Sequence, residues 1–514
     1  MANILGIKGF NRAGTSVNKL MAAYVNDIVD LSTGSGSNLA LNENFKVEFD
    51  VFLDRLFFQN YDARPLSFDG TTWTNKYLDR TVRSKYIKSL KSQSRVYLGY
   101  CQFTGPQIPL DADGNEITFP SRVFYSDLFI ANNLTWGMEW GTNGNVTAGN
   151  NLFFLSGALP QNFIANNIKI GDPLVITSGN ASLATKTFFV QEIVGPYVLR
   201  VTENFDVSAS SLDYWVGSNW FDVGPDDNDS ITAIEEDTSG NLLISKLFSL
   251  FSYNGTNLRQ IRDAVGTSSN RSVINTNTGT YYFHGSDPKL SGIYRYDGSD
   301  TTRISRPIDP FVQGMDNGQY DDVAVWREGE ELRWYLGDLN YTNRNIDMDK
   351  AVATYNYALG AWDVSPIKDA ITCATPFRFG NENKYYCGNS EGQVLKMGTG
   401  TNFNGDPIAF NLETKVFYPS GTEVINEFPR IQVIGRTPKG VSVGYKLWNT
   451  PRDVDSEWYS LGELANDKTE LSIPTFHKMS SGIQLRFSGI DTLENDMYVE
   501  KATIFYNPMR TRML

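Results

Sequence analysis

The chain has 514 residues, of which 41% are hydrophobic and 20% charged, with 44 glycines and 13% aromatics. That balance excludes wholesale disorder and, at about 150 residues per domain, calls for roughly three cores or one large β architecture with additions. A net charge of −13 argues against a wrapping nucleic-acid binder, while two histidines and three cysteines leave too little for a histidine metal cage or a disulfide framework.

The start, MANILGIKGFNRAG, lacks the basic and long apolar stretches of a secretory signal, and no run of about 18 apolar residues follows, so a soluble chain without a membrane segment is expected. Val17, Leu20, Met21, Tyr24, Val25 and Ile28 recur at helical spacing after Thr15 or Ser16 as a cap, which predicts one short N-terminal helix. Residues 32–38, STGSGSN, read as a flexible linker that closes an N-terminal segment 1–38.

From residue 39 onward, period-2 alternation dominates, as at Val47, Phe49, Val51 and Leu53, and later at Val441, Val443, Tyr445 and Leu447. A short motif recurs, an aromatic followed by Asp or Asn, Gly, and Ser or Thr: Phe68-Asp69-Gly70-Thr71, Tyr253-Asn254-Gly255-Thr256 and Tyr296-Asp297-Gly298-Ser299, with a looser echo from Tyr355 and Asn356 to Gly360 and Trp362. Asp-Gly and Asn-Gly favour type I′ turns, so each copy is expected at a hairpin tip. Hairpins recurring at this density predict an all-β chain whose main body is an irregular β-propeller of about six to seven blades, in two parts, residues 39–144 and 218–404. Between them, residues 145–217 carry closely spaced short strands and read as an inserted small β-barrel. Residues 405–514 lose the aromatic-turn motif and read as a C-terminal β-sandwich.

Chemistry is sparse. SFDGTTW, residues 67–73, approaches the Asp-box of sialidases but is one residue short, and that box is a turn device rather than a catalytic group. Asp111 and Asp113 in DADGN are spaced like calcium-loop carboxylates but lack the downstream glutamate, so a solvated hairpin tip outweighs a cation site; the clusters at Asp226, Asp227 and Asp229 and at Glu235, Glu236 and Asp237 read as exposed turns. No phosphate-loop, dinucleotide or nucleophile-elbow motif occurs, and His284 reads as a turn residue. Cys101, Cys373 and Cys387 read as reduced thiols. The basic run Arg80, Arg83, Lys85, Lys88, Lys91 and Arg95 reads as a solvated strand edge, with contact to an acidic subunit or DNA as the alternative. No catalytic, cofactor-binding or metal residue is assigned.

Three stretches carry a family resemblance: FPSRVFYSDLFIANNLTW at residues 119–136, the run at 226–312 containing FSYNGTNLRQIRDAVG and IYRYDGSD, and KYYCGNSEGQVLKMGTG at 384–400, followed by a β-rich tail ending in IFYNP. They resemble the propeller-bearing tail proteins of bacteriophages, the tail nozzle or tail tubular proteins and the related packaged-DNA stabilisation or tail hub proteins. The resemblance implies a non-enzymatic virion protein of the tail, assembled in the host cytoplasm as a homohexameric ring. Such a ring extends the DNA channel, contacts portal or adaptor and tail fibre proteins, and passes DNA without binding it specifically. It brings no catalytic residue to this chain. The alternatives are a propeller that binds host-surface glycans through some of its 10 tryptophans and 26 tyrosines, and a propeller glycosidase.

Overall fold

The computed structural model describes residues 3–511 except 13–14, 16, 26, 38, 40, 63–64, 75–81, 104–107, 112, 130–133, 158–161, 185, 226, 262–263, 288, 342–345, 380–381, 400–401, 404–405, 437–440, 449–456, 465–468, 473–477 and 492–497. Ser16, Arg80, Asp226 and His477 therefore lie outside the described residues. The chain divides into two compact units, Met1–Gly398 and Thr399–Leu514. Helix among the described residues is confined to Asp309–Val312 and three 3₁₀ turns.

Among its described residues, the first unit holds seven antiparallel sheets in chain order, besides an inserted barrel. Their first strands are Gly6–Asn11, Glu48–Phe52, Arg83–Leu90, Ile231–Glu236, Ile274–Thr276, Ala324–Glu328 and Ile371–Phe379. Each sheet is a four-stranded meander except the third, whose last strand, Trp220–Asp222, arrives after an insertion, and the seventh, which has three strands. Every sheet packs its apolar faces against the next. Leu5 meets Val47 and Phe49 between the first two, Phe52 meets Ile87 and Leu98, and Leu90 and Tyr97 meet Ile234 and Ile244. Leu243 meets Tyr282, Phe283 meets Trp334, and Ala324 and Trp326 meet Ile371 and Cys387. The succession closes where Ile7 and Leu20 of the first sheet join Cys373 and Phe377 of the seventh. The result is a closed, propeller-like ring of sheets.

Closure explains why the expected N-terminal helix is instead two strands, Asn18–Tyr24 and Asp27–Asp30. Leu20 faces the seventh sheet while Met21 and Ala23 face the second, so both faces of the strand are buried and its sequence is continuously apolar from Leu20 to Ala23. A continuous apolar run satisfies helical spacing by coincidence. The described part of that stretch, residues 32–37, is likewise no free linker: it turns and adds the short strand Ser35–Gly36 to the first sheet.

The recurring aromatic–Asx–Gly motif also differs from its expected turn. Only Gly70, Gly255 and Gly298 take positive φ, at +100°, +97° and +103°, whereas a type I′ turn requires two such residues. The loops run four residues between the last paired positions, Phe68 and Trp73, Tyr253 and Leu258, Tyr296 and Thr301. In each, the Asx oxygen accepts two backbone N–H groups, for Asp297 those of Ser299 at 2.9 Å and Asp300 at 3.0 Å. All three loops, and the echo at Asn356, join the third and fourth strands of their sheets.

The insertion is a closed barrel of six strands running from Met138–Val146 to Ala209–Gly217. Phe153, Phe188, Leu199 and Tyr214 fill it. Its end strands extend beyond that core, because Met138, Trp140 and Trp215 pack instead with the third sheet. In the second unit, a five-stranded and a four-stranded antiparallel sheet share one core of Phe428, Ile431, Val433, Val443, Leu485 and Phe487.

Candidate functional site at the ring axis

The first strands of the sheets line the axis, and there the alternation that buries apolar side chains between sheets turns charged ones inward. A cavity of about 200 Å³ lies among Lys8, Glu48, Asp50, Lys88, Glu235, Arg271 and their neighbours. Arg271, in the 3₁₀ turn Asn270–Ser272, ties three other sheets together. Its guanidinium pairs with Glu48 at 3.3 Å and donates to the carbonyls of Val47 at 3.2 Å, Thr372 at 2.8 Å and Leu5. The planar fork with five N–H donors suits such a hub as a lysine would not.

Lys88 pairs with Glu235, and Lys8 lies 3.6 Å from Asp50, whose carboxylate also accepts both the N–H and hydroxyl of Ser89 at 2.5 Å. Burial opposes the ionisation of Asp50, yet the Lys88 and Lys8 ammoniums and the Ser89 donors outweigh it and hold the carboxyl below its ordinary range. Burial alone would lower the Lys88 ammonium, but Glu235 and Asp50 raise it. The axis is thus a charge-compensated plug.

One end opens into a larger cavity of about 560 Å³ bounded by Phe45, Lys46, Tyr61, Lys85, Tyr86, Tyr100, Asp321 and Asp322. Tyr61 and Tyr100 hold left-handed backbone, φ +57° and +54°, and Tyr100 sits where the ladder slips between Gly99 and Cys101. Their rings meet edge to face at 5.6 Å, and the Lys85 ammonium lies 3.6 Å from the Tyr100 centroid and 5.4 Å from that of Tyr61. Burial, with Tyr100 adding to it, pushes the Tyr61 phenol up to about 12.

The other sequence candidates scatter. Asp111 accepts the N–H groups of Asp113 at 3.0 Å and Asn115 at 2.8 Å, the geometry of a hairpin tip. Among the described residues, no group of three or more His, Cys, Asp or Glu side chains is placed to hold a metal. Asp227 pairs with the buried Lys246 at 2.6 Å, and Glu235 belongs to the axis rather than to an exposed turn. His284 is buried, with Nδ1 at 3.0 Å from the Gly266 carbonyl and Nε2 at 2.7 Å from Ser286 Oγ; burial lowers its pKa and keeps it neutral. The three cysteines are free and buried. Of the described residues of the basic run, Lys85 and Lys88 belong to a strand lining the axis, Arg83 pairs with Glu116 at 2.8 Å, Arg95 lies 4.7 Å from the Tyr125 centroid, and Lys91 is exposed in the turn after that strand. The sequence reading missed Arg271, Glu48 and Asp50. A carboxylate inside the apolar strand Glu48–Phe52 was the available signal.

No family model and no curated protein matches the chain. Among solved structures it is similar to the computationally designed Ika8 protein, at 9% identity over 77% of this chain and 95% of that one, TM-score 0.34. It is similar to BamB from Moraxella catarrhalis at 11% identity over 76% and 84%, TM-score 0.33, and to the phage phi92 endosialidase at 9% over 99% and 70%, TM-score 0.21. No helix among the described residues is long and apolar enough to cross a membrane.

Proposed function

We propose that this chain is a structural protein of a bacteriophage virion, a tail nozzle or hub built on a seven-bladed propeller. It assembles as a homohexameric ring, extends the DNA channel beyond portal or adaptor proteins, offers a base for tail fibre proteins, and works without catalysis in the virion tail after assembly in the host cytoplasm. The observation that carries the reading is the outer wall of the inserted barrel. Ile164, Ile170, Phe189, Val194 and Tyr197 are 59%, 71%, 48%, 47% and 42% exposed there. Backbone bonds from Phe163 to Pro196 and from Gly171 to Val190 bring their segments together. Apolar side chains grouped on one surface signal a subunit contact. The described parts of the three stretches that carry the phage-tail resemblance include most of the third strand of the third sheet, the fourth and fifth sheets, and strands of the seventh sheet.

The channel of the proposed assembly lies between subunits, because the Arg271–Glu48 and Lys88–Glu235 pairs cross the axis within one subunit. A net charge of −13 suits a conduit that repels the phosphate backbone. Replacing Ile170 and Phe189 together by Glu tests the reading. The double variant is expected to keep its unfolding transition and lose its oligomer in light scattering; an unchanged oligomer would refute this interface.

A further inference from the structure

The cavity at the mouth of the axis has features that a structural ring does not need. Of the three cations bordering it, Arg271 pairs with Glu48 at 3.3 Å and Lys46 with Asp322 at 3.0 Å, whereas Lys85 has no carboxylate partner among the described residues. Its ammonium rests instead over the rings of Tyr100 and Tyr61. A cation stacked on an aromatic face still has N–H donors to offer. Both tyrosines are held in left-handed backbone, a strained conformation for a non-glycine residue that gathers where a site needs a side chain aimed against the grain of the fold. The raised Tyr61 phenol keeps its proton across the physiological range and stays a donor.

From this geometry we infer that the mouth cavity binds a polyhydroxylated monocarboxylate, a sugar acid. Its carboxylate would sit on Lys85, and its ring and hydroxyls between Tyr61 and Tyr100 on one side and Asp321 on the other. A cavity of about 560 Å³ has room for one or two sugar rings. Lys85, the one cation of this lining without a carboxylate partner among the described residues, offers a place for one negative charge, and Asp321, which lines the same cavity while Asp322 is taken by Lys46, disfavours a multiply charged phosphate and accepts hydrogen bonds from hydroxyls. The site lies within one subunit, so it stands independently of the ring proposed above.

Calorimetric titration of the full chain with D-glucuronate, D-glucose and inorganic phosphate tests the assignment. Saturable glucuronate binding at millimolar or tighter concentration is expected, with glucose and phosphate each at least tenfold weaker. Lys85→Gln is expected to weaken glucuronate at least tenfold and leave glucose unchanged. Tyr100→Asn keeps a residue that tolerates left-handed backbone; it should lower glucuronate affinity without lowering the unfolding midpoint. A tyrosine ultraviolet difference spectrum on the unmodified protein, growing with glucuronate, reads the same site without any substitution. No glucuronate binding up to 10 mM, or equal binding of phosphate, or an unaltered Lys85→Gln affinity in a folded variant, would overturn the inference.

Discussion

Arg271 concentrates the closure of the ring in one side chain, since its guanidinium reaches the first, second and seventh sheets from a turn that leads into the fifth. Removing one partner of a buried ion pair costs about 3–5 kcal/mol, because the other is left desolvated and unpaired. Arg271→Ala is therefore expected to destabilise the first unit by that order in denaturant titration, and Arg271→Lys to recover only part of it, lacking the fork that serves several carbonyls at once. Asp50 makes a second expectation at this scale. Its carboxyl is held below the ordinary range in the folded chain, so the unfolded chain takes up a proton first as pH falls. Its contribution is fully present above the ordinary aspartate value and fades as pH drops through the folded one. The acid limb of stability against pH should then be shallower in Asp50→Asn than in the unaltered chain; an identical limb would show that Asp50 carries none of it. Neither residue stood out in the sequence, because the partners of Arg271 at Leu5, Glu48 and Thr372 lie 266, 223 and 101 positions away and only the fold brings them in. Asp50 was visible as a charge inside an apolar strand and Lys88 as one of three basic residues in its strand, but a strand facing an axis and a strand facing solvent look alike in one dimension.

Among the elements, the aromatic–Asx–Gly hairpins were legible as hairpins, and their position between third and fourth strands gives them a common role in finishing a sheet. The turn type was not legible, since Asp-Gly serves both a two-residue turn and a longer loop in which the carboxylate replaces a backbone acceptor. Asp297→Ala removes an acceptor used by two N–H groups and is expected to cost about 1 kcal/mol. Asp297→Asn should cost less, and equal losses in the two variants would show that the acceptor is irrelevant. The inserted barrel yields a sharper test, because its end strands serve two cores. Excising residues 143–212 and bridging Gly141's neighbour to Asp213 with a short glycine turn keeps Trp140 and Trp215 in the third sheet, and cooperative unfolding of the ring is expected to survive. Excising the whole of 138–217 takes those tryptophans away and should leave an aggregating chain. The reverse ranking would contradict the shared core. The N-terminal strands were misread as a helix for a related reason: Leu20, Met21, Ala22 and Ala23 are all buried, and burial on two faces erases the period that distinguishes a strand.

At the level of the whole molecule, the all-β character was legible from glycine, aromatic and turn content. What composition could not convey was closure, which depends on the first sheet meeting the seventh through Ile7, Leu20, Cys373 and Phe377, residues some 350 positions apart. Closure uses up both faces of every sheet, so surfaces for assembly must come from elsewhere. The exposed apolar wall of the barrel is one such surface. Net acidity adds a constraint, as subunits carrying −13 each repel one another and associate more readily when salt screens them. Ring formation is thus expected to strengthen from low to moderate ionic strength, the opposite of a contact held by ion pairs. The most direct measurement is negative-stain electron microscopy of the purified full chain at moderate salt, alone and with portal or adaptor rings. Closed rings with a central opening, six subunits around, are the expected result, and a chain that stays monomeric at high concentration in both preparations would contradict the proposal.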